Sequence, residues 1–255
     1  IDIKPNSNLS KIIKNGAYIK TLTTDKGELH PWTTWPTFYR GVDNTDHKIT
    51  SLNQDIETEN KYPPVWKVLI KNNLSIGIFG TLQSYPPIIN KNVKFFLPDT
   101  FSPGYEAYPK NIETFQKFNL KIVSNNSGEV RTIRAVDIKY FLNCIFNSTI
   151  RIRTLFKILK HIFLEKFDKN HKRRRALLQP HLTFDIYYRY LRKCKPDFST
   201  FFTNHLAGMM HYYWLDIFPS DFKNPPRKPT RFNKKSIITA LDIADRQIGK
   251  LMHLQ

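Results

Sequence analysis

Thr33 and Thr34 stand in the run P-W-T-T-W-P, Pro31 to Pro36, where Pro36 suits the first turn of a helix. A hydroxyl at a helix N-terminus sees the positive end of the dipole and free backbone N–H groups. That setting favours an alkoxide nucleophile with an anionic phosphate beside it. A plain Ser/Thr N-cap uses the same residues. Asn204, His205 and His211 follow a predicted strand, Phe198 to Thr203, and ligands of open α/β sheets sit past the carboxyl ends of strands. Imidazole is the usual nitrogen ligand of zinc. A spacing of six does not put both histidines on one helix face, so one packed and one surface histidine is the competing reading. Asp43, Asp46 and His47 in G-V-D-N-T-D-H-K-I form a third cluster that suits either a metal or a simply polar loop. His161, His171 and His181 lie in a basic stretch and are expected to face phosphate or solvent. Cys144 and Cys194 read as reduced thiols; two cysteines exclude a disulfide framework and a Cys-rich zinc module. The sequence has no Gly-rich phosphate loop, no G-x-S-x-G elbow and no C-x-x-C pair.

The elements that must position these residues follow an α/β grammar over much of the chain. A helix is expected over Asn8 to Asn15, stopped by Gly16, and then an extended run, Ala17 to Thr23. A turn at Asp25-Lys26-Gly27 precedes the Thr33-Thr34 run. Pro63 and Pro64 start a helix, Val65 to Asn72, that feeds a buried strand, Ser75 to Gly80. A second apolar run spans Val93 to Leu97. Between Tyr105 and Pro196 the pattern turns to long helical periodicity, as in Ile150 to Phe167 and Leu182 to Leu191. The last helix is expected over Ile237 to Leu254. These readings give an α/β core over 1–104 and 197–255, with 105–196 as a largely helical, basic insertion or cap.

The formal net charge of the 255 residues is +19, and its location narrows the partners. Arg151 to Lys195 holds fourteen Lys and Arg against Glu165, Asp168 and Asp185; Lys223 to Lys235 adds six basic residues and no acid. Such segments suit phosphates, nucleic acid or anionic lipid head groups. Biased composition explains the same charge without a partner. No run is apolar enough for a membrane span. No leader is visible after Ile1, a non-methionine start, and Gln255 directly follows an amphipathic segment, so both ends are expected to be cut. Because a signal peptide could lie upstream of Ile1, the compartment is left open, with a lean toward the cytoplasm.

Taken in order, the motifs resemble the alkaline phosphatase superfamily, nearest its type I phosphodiesterase/nucleotide pyrophosphatase branch. N-S-N-L-S-K-I-I-K-N-G-A-Y, P-W-T-T-W-P-T-F-Y and R-G-V-D-N-T-D-H-K-I match three successive family patterns. Thr34 falls on the nucleophile and His47 on the histidine of H-G-I, with Lys48 in place of the glycine. Thr37 replaces an asparagine that helps hold phosphoryl oxygens. G-I-F-G-T-L-Q-S-Y-P-P and F-F-L-P-D-T-F-S-P-G-Y-E-A-Y-P resemble strand pairs of bacterial members. F-F-T-N-H-L-A-G-M-M-H-Y-Y-W resembles a metal-binding loop that reads D-x-x-G-H in that branch: His211 matches the histidine, and Asn204 or His205 stands in for the aspartate. A-L-D-I-A-D-R-Q-I-G-K-L is similar to the helix leading toward the D-H-G strand.

The resemblance implies an αβα sandwich of three layers and a metal-dependent hydrolase of phosphate or sulfate esters. Two divalent ions, zinc by preference, would be held by Thr34, Asn204, His205 and His211, about 4 Å apart. Thr34 would attack in line, and Thr37 and Asn53 would contact the substrate. The basic insertion would grip an anionic polymer or the rest of the ester. The family's first-strand aspartate, with Asp2 as a substitute, and its D-H-G pair and late histidine would lie beyond the two ends, leaving this stretch nearly inactive. The reading from another class is a non-catalytic basic module for nucleic acid or anionic lipid. There F-D-I-Y-Y-R-Y-L-R-K, Phe184 to Lys193, would stack bases, although a helical core face explains the same aromatics.

Overall fold

Residues 4–54, 61–124, 138–139, 142–143, 145 and 150–254 are described by the computed structural model. Its elements, in chain order, begin with α1 (Asn8–Asn15), α2 (Pro31–Arg40), α3 (Asn44–His47) and α4 (Val65–Lys71). Next come β1 (Ile76–Phe79), β2 (Val93–Leu97) and α5 (Glu113–Ser124). The remainder is α6 (Ile152–Phe167), a 3-10 segment (Lys169–Leu177), α7 (Gln179–Cys194), β3 (Phe198–Phe201), α8 (His205–Ile217) and α9 (Arg231–Met252). Cys144 and Asp2 lie outside the described residues.

The chain divides into two units. A helical unit comprises Ile1–Lys20, Ile150–Asp185 and Thr203–Gln255, and a sheet unit comprises Thr21–Thr149 and Ile186–Phe202. The stretch expected as one insertion, 105–196, is thus shared between them, with a boundary inside α7.

In the sheet unit, β1 pairs in parallel with both neighbours, in the order β2-β1-β3. This is an α/β fold, as expected. β1 is buried at every position because both of its faces are covered, which is why its sequence is a continuous apolar run rather than an alternating one. Ile76 and Ile78 pack with Val93 and Phe96 against Tyr39 of α2 and Trp66 of α4. On the opposite face Phe79 and Phe95 meet Tyr187 of α7, with ring centroids 5.8 and 6.0 Å apart. Gly77 makes that second face possible: a Cβ there would stand 2.2 Å from Phe95 Cζ. Gly80, at φ 73°, turns the chain out of β1 where an L side chain would be strained.

In the helical unit, Met209 and Tyr213 of α8 pack with Leu177 and with Ile237, Ala240 and Ile243 of α9. α1 lies along α9: Asn8 Nδ2 donates to Asp245 O at 3.0 Å, and Lys4 Nζ reaches Asp242 at 2.6 Å. Much of the basic 3-10 segment serves this unit's own packing. Arg174 lies 3.6 Å over the Phe232 ring and donates to Ser236 Oγ at 2.7 Å. Arg175 Nε donates to buried Glu165 at 2.7 Å.

Two local expectations fail. Residues 17–23 are exposed and form no strand, since β propensity without a partner edge leaves backbone groups to water. The Thr33-Thr34 helix starts at Pro31, not near Pro36, and Pro36 sits inside it. An interior proline cannot donate to the carbonyl four residues back. That carbonyl, Trp32 O, instead accepts from Gln83 Nε2.

Candidate functional site

In the sheet unit, the loops leaving the strands at their carboxyl ends are organised by Asp99, which is buried two residues past β2. Asp99 accepts from Phe101 N at 2.7 Å and Gln83 N at 2.8 Å. Burial pushes its carboxyl up, against the pull of these donors. α2 is docked onto the same ends: Trp35 stands edge-on to Phe202, just past β3, at 4.9 Å, and Trp32 O holds Gln83, four residues past β1. A cavity of about 420 Å3 opens here, lined by Arg40 at the end of α2, Lys67 of α4, and Asn53, Gln54, Gln83 and Ser84. Two cations and three amides suit an anionic or highly hydroxylated ligand.

Of the residues singled out in the sequence, Asn53 lines this cavity, and its Nδ2 donates to Phe101 O at 2.9 Å. Thr34 and Thr37 do not line it. Thr34, half-buried in the first turn of α2, donates its hydroxyl to His30 O at 3.2 Å. The N–H groups nearest its hydroxyl are not free: Thr33 N and Thr34 N both donate to His30 O, at 2.9 and 3.0 Å. The early helix start brings this about: His30 becomes the N-cap, and its carbonyl serves the third and fourth residues.

Thr37 belongs to a buried relay that sequence reasoning missed. Ile49 N donates to His47 Nδ1 at 2.9 Å, so the ring proton sits on Nε2. Nε2 then donates to Thr37 Oγ1 at 2.9 Å, and Thr37 donates to Asp25 Oδ1 at 2.7 Å. Burial pushes His47 down, which keeps it neutral and in this role. Asp25 Oδ2 is buried with no hydrogen-bond partner. Asp43 and Asp46 do not join His47 in a metal set. Asp43 caps α3 and accepts from Thr45 N at 3.0 Å, and Asp46 accepts from Tyr62 at 3.3 Å.

Asn204, His205 and His211 belong to the helical unit. His205 is buried with both nitrogens committed: one hydrogen bond links it to Thr203 Oγ1 at 3.0 Å and another to Ala240 O at 3.1 Å. Because a carbonyl only accepts, Nε2 carries the proton and Nδ1 takes the threonine's. Burial pushes this imidazole down as well. Asn204 is the exposed N-cap of α8 without a side-chain cap bond, and His211 is exposed on α8. His161 points inward, 3.3 Å from Glu165 and 3.0 Å from His171 O, rather than toward phosphate or solvent.

These placements do not fit the expected metal pair. His205 has no free lone pair, and Thr34 Oγ1 is turned to a carbonyl. Among the described residues no three His, Cys, Asp or Glu side chains gather to hold an ion. Of the aromatics in Phe184 to Lys193, Phe184 is buried in the helical unit and Tyr187 in the sheet unit, in line with the core-face reading of that segment. Among the described residues no helix is long and apolar enough to cross a membrane.

Comparison of the chain with protein-family models, curated proteins and solved structures gives no match in any of the three.

Proposed function

We propose that this protein is a hydrolase of phosphate esters built on an alkaline-phosphatase-like sandwich, with Thr34 as its nucleophile. The observation that carries this reading is the docking of α2, the helix bearing Thr34, on the carboxyl ends of parallel β1 and β3, where open α/β sheets hold their ligands. Arg40 lies on the same helix, roughly 9 Å further along its axis. With Lys67 and Asn53 it would hold a further anionic part of the ester's alcohol portion in the cavity, leaving the phosphoryl group at Thr34. Thr34 Oγ would turn from His30 O, bond to phosphorus and displace the ester oxygen as an alcohol. Water would then release phosphate from the threonine. The helix dipole favours charge on that oxygen.

The test is turnover of p-nitrophenyl phosphate and bis-p-nitrophenyl phosphate alongside calorimetric binding of inorganic phosphate. Thr34→Ala should lower turnover on the order of a thousandfold or more while leaving binding intact. Arg40→Ala should weaken phosphate binding about tenfold. Full turnover in Thr34→Ala, or no binding of phosphate by the unaltered chain, overturns the reading.

A further inference from the structure

α6 carries its apolar residues on the wrong side for a core helix. Its buried positions are Thr154, Ile158 and Glu165, and only one of these is apolar. Ile152, Phe156, Leu159, Phe163 and Phe167 are between 59% and 75% exposed. At about 100° per residue these five fall within one narrow stripe, roughly opposite the buried side. Phe163 and Phe167 lie against each other along it, tilted by 58°, with ring centroids 4.9 Å apart. A helix buries its apolar face wherever an apolar neighbour exists, so this stripe asks for a partner that the described residues of the helical unit do not supply.

The charges say which partner. Arg153, Lys157 and Lys160 border one side of the stripe and Lys166 the other. The single acid on the helix, Glu165, is buried and bound to Arg175. Beyond the stripe's basic border, Arg246 and Lys250 of α9 add to the field felt by Lys157. Nucleic acid would use these cations and stack bases on the phenylalanines, but it would leave the aliphatic Ile152 and Leu159 of the stripe in water.

We infer that α6 is an interfacial helix that lays its Ile152-Phe156-Leu159-Phe163-Phe167 stripe into the surface of an anionic phospholipid bilayer, with its bordering lysines and arginines on the head-group phosphates. An apolar ridge with cations at both margins is the arrangement that such binding needs. The helix is about 24 Å long and lies in the interface rather than crossing it.

Co-sedimentation of the chain with vesicles tests this. Vesicles of phosphatidylcholine with phosphatidylglycerol should bind the protein, and vesicles of phosphatidylcholine alone should bind it at least about tenfold more weakly. The double variant Phe156→Ser/Phe163→Ser should lose about tenfold or more on the anionic vesicles while its far-ultraviolet spectrum and melting temperature stay unchanged, since both rings are exposed. Lys157→Glu/Lys160→Glu should lose binding to a similar extent, and added salt should weaken the unaltered protein. Three results would each overturn the assignment. One is binding that ignores the phenylalanines, and another is equal binding to neutral vesicles. The third is a concentration-dependent dimer that the phenylalanine variant abolishes, which would make the stripe an interface between two copies.

Discussion

In the helical unit twenty-two lysines and arginines face eight acids, and in the sheet unit eighteen face thirteen. The two units also use their apolar residues in opposite ways. β1 and β2 bury almost everything they carry, on both faces of the sheet. α6 turns five large apolar groups outward and keeps a glutamate inside. The sheet unit therefore has an interior under tight steric control and a polar cavity at its strand ends. The helical unit has ordinary packing around α8 and α9 and an unusual surface. Net charge alone hides this difference, because Arg174 and Arg175 are fixed in the helical unit's own packing while the cations of α6 border an open stripe.

Substitutions can break the comparison. A large effect is expected from added bulk at Gly77. In Gly77→Ala the new Cβ meets the Phe95 ring at 2.2 to 2.7 Å, and that ring is fully buried against Tyr187 and Tyr190. With the ring unable to swing aside, overpacking should cost about 3 kcal/mol, read as a lower urea midpoint. An unchanged midpoint would show that the sheet unit's interior is looser than described.

A smaller effect is expected at His181, between α6 and α9. Burial, then Lys157, Arg246, His205 and Lys250, push its imidazole down to about 4. The unfolded chain binds this proton near pH 6.5, whereas the folded protein resists it until about pH 4. Stability from neutral His181 is therefore present above about pH 6.5 and lost as pH falls from there toward 4, by about 1–3 kcal/mol. Urea unfolding across that range should show the slope, and His181→Gln should flatten it. Equal slopes would place the acid sensitivity elsewhere.

The smallest effect sharpens the contrast. Phe163→Ser, at a position 59% exposed, should leave the unfolding free energy within about 0.5 kcal/mol, whereas truncating fully buried Phe95 to Ala should cost about 3–5 kcal/mol. Destabilisation by Phe163→Ser comparable to Phe95→Ala would mean that the stripe is covered.

Local pattern made much of the fold legible. α1 was readable to the residue, Asn8 to Asn15, with Gly16 as its stop. β1, β2 and β3 were readable as apolar or β-prone runs between polar loops. The α2 boundary was not, because a proline at helix position one and a proline inside a helix look alike until the tertiary donor to the freed carbonyl is known. The candidate site was less legible still. Asn53 was singled out, but Arg40 and Lys67 were not, since a cavity gathers side chains from segments with no common motif. The histidines His47 and His205 looked like ligands because sequence shows residue type and spacing, whereas their hydrogen bonds to Ile49, Thr37, Thr203 and Ala240 depend on the folded backbone.

The bond from Gln83 to the carbonyl that Pro36 leaves unserved ties two distant positions into one trade. An ordinary residue at 36 would supply its own N–H to Trp32 O and leave the Gln83 amide in search of another acceptor. A short side chain at 83 beside Pro36 would strand the carbonyl. Over evolutionary time the two sites should therefore change together: relatives that keep a proline at 36 should keep a donor at 83, and those that lose one should be released from the other. Among homologous chains, that paired substitution pattern would be the inherited imprint of how α2 is fastened to the strand ends.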